Sequence, residues 1–72
     1  MPVMEKEALL EQFGKRIKSI RIEKNISQTA FAKRCNMDKG SICRIESGKT
    51  NVSYITLYKI SKALEVKIEK IV

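Results

Sequence analysis

The sequence predicts a single all-α domain made of short helices, and three observations predict it. Apolar residues recur at steps of three and four in several separate stretches. Polar residues suited to starting or ending a helix stand between those stretches. The one proline is at position 2, outside all of them.

Leu10, Phe13, Ile17 and Ile20 place one apolar stripe toward a core, with Lys15, Arg16 and Lys18 on the other side, which predicts a first helix over about residues 6–24. Asn25 follows its basic last turn, and Asn is the common substitute for Gly at the left-handed residue that ends a helix. Ser27 can cap a second helix starting at Gln28, with Phe31, Ala32 and Cys35 inward and Asn36 at its end. Met37 plugs the turn. Asp38 caps a third helix, about residues 39–47, with Ile42 and Ile45 inward and Gly48 as its stop. Ser53 caps a fourth, which buries Leu57, Ile60 and Leu64. In the tail, Val66 and Ile68 alternate as a strand would, while Ile68, Ile71 and Val72 suit a helical turn, so both remain open.

The 72 residues fit one domain, with a core over about residues 7–66 and a tail over 67–72. At this size only about 60 % of the unfolded chain's surface is buried on folding. No apolar run approaches the roughly 18 residues a membrane span needs, and residues 1–7 have no signal-peptide character, so the default expectation is a cytoplasmic chain with no membrane partner. Fifteen Lys and Arg against eight Asp and Glu give a net charge of +7. The charge is unevenly placed: residues 1–13 sum to −2, residues 14–50 to +7 and the remainder to +2. A basic field on one segment points to an acidic partner such as nucleic acid.

Enzymatic chemistry finds no support. There is no His, and no Ser or carboxylate grouping is spaced for nucleophilic or acid–base work; Glu65 and Glu69 form a helix-spaced pair of surface charges at most. Cys35 and Cys43 lack zinc spacing and read as free thiols, Cys35 as a small core residue and Cys43 beside an outward helix face. Nothing points to a metal, a cofactor or a small-molecule ligand.

Two short helices joined by a three- or four-residue turn form a DNA-reading unit when the sequence lets them approach closely. Ala32, Asn36, Ile42 and Ile45 supply the small residue, the turn residue and the anchors that this requires. The run Gln28, Thr29, Ala30, Phe31 and Ala32, then Asn36, Ser41 and Ile42, Ile45 through Lys49, and Leu57 through Leu64 resembles the Cro and phage-repressor family, also called Xre-like. The resemblance covers about residues 13–66. Gly48 through Ser53 is also similar to a loop of the small controller proteins of restriction-modification systems.

The resemblance implies a five-helix, lambda-repressor-like fold and a transcription regulator that binds double-stranded DNA. It further implies a homodimer on an inverted repeat, with the third helix in the major groove. Gln28 would meet a phosphate at the start of the second helix. Lys39, Gly40, Ser41 and Arg44 would face DNA, with Lys39 and Arg44 donating to guanine and Ser41 anchoring a phosphate. Lys49, Thr50 and Asn51 would hold the backbone. Gly40 departs from the family pattern, removing a side chain from a position that often reads a base. Arg21 and Glu46 would pair internally, as architecture.

The apolar Ile55, Tyr58, Val66, Ile68, Ile71 and Val72 exceed what so small a core readily absorbs, which predicts a symmetric dimer through the fourth helix and the tail. The competing function class is an antitoxin-type or other protein-interaction module on the same fold.

Overall fold

The computed structural model describes residues 5–71. Among these residues four α-helices follow one another, α1 (Lys6–Glu23), α2 (Gln28–Cys35), α3 (Lys39–Glu46) and α4 (Tyr54–Leu64), and a 3-10 turn over Ile68–Lys70 comes after them. Among the described residues there is no strand. None of the described helices is long and apolar enough to cross a membrane.

The helix boundaries have local causes. Ser27, Asp38 and Ser53 are extended, and each side chain accepts a hydrogen bond from the backbone N–H three residues on, at Ala30, Ser41 and Thr56. Each bond satisfies a donor that the first helical turn leaves unpaired. All four helices end in one way, with a left-handed residue and two reversed backbone bonds. In α1, Asn25 N–H reaches Ile22 O (2.9 Å) and Ile26 N–H reaches Arg21 O (3.0 Å). The left-handed residues are Asn25, Asn36, Glu65 and Gly48. This closure satisfies terminal carbonyls and turns the next residue, Ile26, Met37 or Val66, toward the core.

The core gathers Ile17, Phe31, Ile42, Ile60, Leu64 and Ile71, all fully buried. Helix α3 packs on both α1 and α2, α4 packs on α2, and the 3-10 turn packs on α4. Arg34 Nη1 adds a bond to Ala63 O (3.2 Å), fastening α2 to the end of α4.

Three expectations change. The fifth helix is reduced to a single 3-10 turn, which is the helical-turn alternative for the tail and not the strand. After the left-handed Glu65 the backbone at Lys67 is extended, so helical structure resumes only at Ile68. A 3-10 turn has three residues per turn, so it stacks Ile68 over Ile71 and presses both against the body of the domain. Ile71 is therefore core, with no exposed surface, and is not part of an outward dimer face. Val72, also expected there, lies outside the described residues. Glu65 and Glu69 do not share a helix, since one is the left-handed cap of α4 and the other lies in the 3-10 turn.

Candidate nucleic-acid interface

Helices α2 and α3 pack around a turn in which Asn36 is left-handed (φ 57°) and Met37 sits half-buried beneath it. Ala32 is buried on α2, and Ile42 and Ile45 fix the inner side of α3. The opposite side of α3 is thereby fixed outward.

A buried polar cluster holds the far end of α3. Arg21 Nε donates to Glu46 Oε2 at 2.7 Å, and Nη2 donates to Oε1 at 3.2 Å. Arg21 Nη1 also donates to Ile26 O (2.8 Å), and Gln28 Nε2 donates to Glu46 Oε1 (3.1 Å). One carboxylate thus joins the end of α1, the start of α2 and the end of α3. Gln28, expected on a phosphate, spends one carboxamide proton on Glu46; its second proton and its backbone N–H at the start of α2 have no intrahelical use.

Two glycines allow this approach. A Cβ on Gly14 would lie 2.6 Å from the Ile45 carbonyl oxygen and nearer still to that of Glu46, so α1 meets the end of α3 backbone to backbone. Gly48 combines φ +73° with a backbone contact, where a Cβ would lie 2.8 Å from Glu11 Cα. Gly48 is legible from its place after α3. Gly14 was missed, because its contact lies more than thirty positions away in sequence.

On the outward side of α3, Lys39, Gly40, Cys43 and Arg44 are exposed and Ser41 is half-buried. Ser41 N–H donates to Asp38 Oδ2 (3.0 Å) and the Ser41 hydroxyl donates to Asp38 Oδ1 (2.6 Å). These bonds hold the Asp38 carboxyl below its ordinary range, with a smaller contribution from the charge of Arg44. Arg44 Nη2 donates in turn to Ser41 Oγ (3.4 Å). Spacing alone predicts only a helix cap at Asp38. Its extension to Arg44 depends on side-chain conformers that spacing alone does not specify.

Ser41 and Arg44 also line a shallow depression with Thr50 and Asn51, so α3 and the following loop form one continuous surface. Lys49 is exposed beside it, and its N–H closes α3 on Arg44 O (2.9 Å). Of the residues expected at DNA, Ser41, Arg44, Thr50 and Asn51 share this depression, Lys39, Gly40 and Lys49 are exposed, and Gln28 is held through α2 and Glu46.

The α4 side carries a second exposed feature. Ile55 is 69 % and Tyr58 52 % exposed, Tyr54 is exposed beside them, and Val66 and Ile68 are half-buried along the same edge. The Lys62 ammonium lies 5.5 Å from the Tyr58 ring centre. Among the described residues no group of His, Cys, Asp and Glu could hold a metal ion.

Similarity to known proteins follows this geometry. The chain is 38 % identical over 61 residues to the control protein C.MunI of a Mycoplasma species, covering 83 % of this chain and 82 % of that protein. It is 43 % identical over 56 residues to the control protein C.BamHI of Bacillus amyloliquefaciens, covering 76 % and 69 %. The crystal structure of the restriction-modification controller protein C.AhdI from Aeromonas hydrophila superposes with a TM-score of 0.85 at 28 % identity, over 88 % of this chain and 96 % of that one. The helix-turn-helix family model matches residues 17–71, a span that takes in the buried Arg21–Glu46 pair, the α2–α3 turn and the outward side of α3, and the chain belongs to that family.

Proposed function

We propose that the protein is a sequence-specific, double-stranded DNA-binding transcription regulator that seats α3 in the major groove and acts as a homodimer on an inverted repeat. The observation that carries this reading is the outward side of α3, where Lys39 and Arg44 are exposed on a helix whose other side is locked into the core by Ile42, Ile45 and Glu46. A rigidly held helix with two long cationic donors can address the N7 and O6 acceptors of guanine. Similarity to control proteins over some four fifths of the chain supports the regulatory role.

In this reading Lys39 and Arg44 address base edges. Gln28, Lys49, Thr50 and Asn51 hold phosphates to either side, and Gly40 and Ser41 lie where the helix seats. The start of α2 offers unpaired backbone N–H groups to an anion. Ile55, Tyr58, Val66 and Ile68 supply the contact with a second copy, which sets two α3 helices on half-sites about 34–36 Å apart.

Selection of bound duplexes from a random pool tests the whole reading. The expected product is an inverted repeat whose half-sites are one helical turn apart, bound with an affinity that falls steeply with salt. Arg44→Ala is expected to relax preference at particular base pairs, and Lys49→Ala to weaken all sequences alike while reducing the salt slope by about one unit. A pool that emerges without any enriched sequence overturns the proposal.

A further inference from the structure

We infer that Asp38 determines specificity from a distance: acting through Ser41, it positions Arg44 for base edges and shields the same guanidinium from indiscriminate phosphate binding. This rests on the reading of α3 as the DNA-reading helix.

Asp38, Ser41 and Arg44 follow one another at three-residue steps, so their side chains stack along one side of α3. The Asp38 carboxylate can only accept hydrogen bonds, so the bond at 2.6 Å consumes the single proton of the Ser41 hydroxyl. The lone pairs of Ser41 Oγ are then available to Arg44, whose Nη2 lies 3.4 Å away. Ser41 therefore faces Arg44 as an acceptor and has no proton left for a phosphate.

Gly40 completes the arrangement. A Cβ there would lie 3.0 Å from Asp38 Oδ2 and 3.9 Å from Arg44 Nη1. The missing side chain leaves open the space between the carboxylate and the guanidinium. Arg44 folds back over this gap toward the start of α3, using one of its five N–H donors on Ser41 and keeping the others for a ligand.

Two consequences separate this arrangement from a simple helix cap. A guanidinium already held before DNA arrives loses less rotamer freedom on binding. A carboxylate beside it repels phosphates wherever the helix lands, while a bidentate guanine contact in register still forms. Both effects raise the ratio of specific to random binding more than the affinity itself.

The test compares the full chain with Asp38→Asn, Ser41→Ala, Ser41→Thr and Arg44→Ala on the selected duplex and on a random duplex of equal length. Asn keeps a capping oxygen but removes the charge, and Thr keeps the hydroxyl. Asp38→Asn is expected to tighten random binding and lower the specific-to-random ratio roughly tenfold, the scale of one good base contact. Ser41→Ala is expected to lower the ratio similarly and Ser41→Thr to restore it, with thermal melting of each variant accounting separately for any loss of fold. If Arg44→Ala lowers the ratio while Asp38→Asn and Ser41→Ala leave it within about twofold of the parent, a change too small for one lost base contact, the inference is overturned and Arg44 remains a reader. Equal weakening of both duplexes by Ser41→Ala marks Ser41 as a phosphate anchor and also overturns it. Equal weakening of both by Arg44→Ala overturns the inference together with the reading it rests on.

Discussion

Arg21 closes on Glu46 from 25 positions away, with two N–H groups on two carboxylate oxygens at 2.7 and 3.2 Å. The side chains are only 9 % and 4 % exposed, so water screens the pair little. Paired forks of this kind fix orientation as well as distance. Because Glu46 is the last residue of α3, the pair sets the angle at which the outward side of that helix is held.

Removing one partner leaves a buried charge with incomplete compensation. Arg21→Ala is expected to lower unfolding free energy by about 3–5 kcal/mol, a large share of the roughly 5–15 kcal/mol typical of a domain. Arg21→Met combined with Glu46→Leu should recover much of the loss, since a well-packed apolar pair needs no charge compensation. Urea denaturation measures both. A loss below about 1 kcal/mol for the single variant would place the pair with solvent-exposed ion pairs and count against the buried reading.

Gly14 lies inside an 18-residue helix, where propensity alone favours Ala by about 1 kcal/mol. Packing opposes it, since a methyl group would press on the carbonyl oxygens of Ile45 and Glu46 and push α1 off α3. Gly14→Ala should therefore destabilise, by about 1–3 kcal/mol as overpacking does, and lower the melting temperature. A higher melting temperature would show that α1 can shift at no cost.

The helix limits were legible because their causes are local. Ser27, Asp38 and Ser53 cap, and Asn25, Asn36 and Gly48 turn, through chemistry confined to one or two neighbouring turns. Gly14 was not legible, since its role depends on carbonyls of another helix. The placement of Ile71 was not legible either, because an apolar side chain looks the same whether it fills a core or faces a partner. At the candidate site, periodicity identified Ile42 and Ile45 as the inward residues of α3, and the family resemblance marked Lys39, Gly40, Ser41 and Arg44 as facing DNA. Neither could show that Gln28 turns to Glu46 or that Ser41 gives its proton to Asp38, because both bonds depend on side-chain conformers.

Among the described residues Glu65 is the one helix-ending left-handed residue with no chemical preference for that conformation (φ 57°). For a residue with a Cβ it costs roughly 1–2 kcal/mol, of which glycine recovers part after its own loss of backbone freedom. Glu65→Gly is expected to stabilise by about 0.5–1 kcal/mol, which for a domain of this size raises the melting temperature by several degrees, up to about 8 °C. Calorimetry checks it, and an unchanged or lower transition would mean that the Glu65 side chain contributes more than its backbone costs.

The two cysteines should differ sharply in reactivity. Burial pushes the Cys35 thiol up to about 11, with Lys59 opposing in part, whereas Cys43 is exposed on α3. The thiolate is the reacting form, so an alkylating reagent at pH 8 should modify Cys43 readily and Cys35 only as the domain opens. Mass spectrometry of the labelled chain distinguishes them, and rapid double labelling under native conditions would contradict the burial of Cys35. Linkage has a definite sign here. The folded thiol holds its proton more tightly than the unfolded one, so its contribution to stability is full below pH 9.0 and is lost as pH rises through about 11. Cys35→Ala should remove that part of the alkaline decline.

The apolar residues of α4 and the tail divide into two groups with opposite expected responses to a charge. Ile55 and Tyr58, three apart on α4, are largely exposed, so Ile55→Asp or Tyr58→Asp should leave the folded protomer intact while opposing its contact with a second copy. Sedimentation at micromolar concentration should then show monomer, and affinity for an inverted repeat should fall by at least about tenfold, because two linked half-site contacts become independent. Ile71→Asp should instead unfold the domain, since an unpaired carboxylate would enter a fully buried position. Ile68, half-buried between the two groups, should respond in both ways, so Ile55 and Tyr58 are the cleaner probes. If the parent chain sediments as monomer throughout and Tyr58→Asp binds the repeat as the parent does, the α4 face has no part in assembly on DNA, and specificity must come from a single α3.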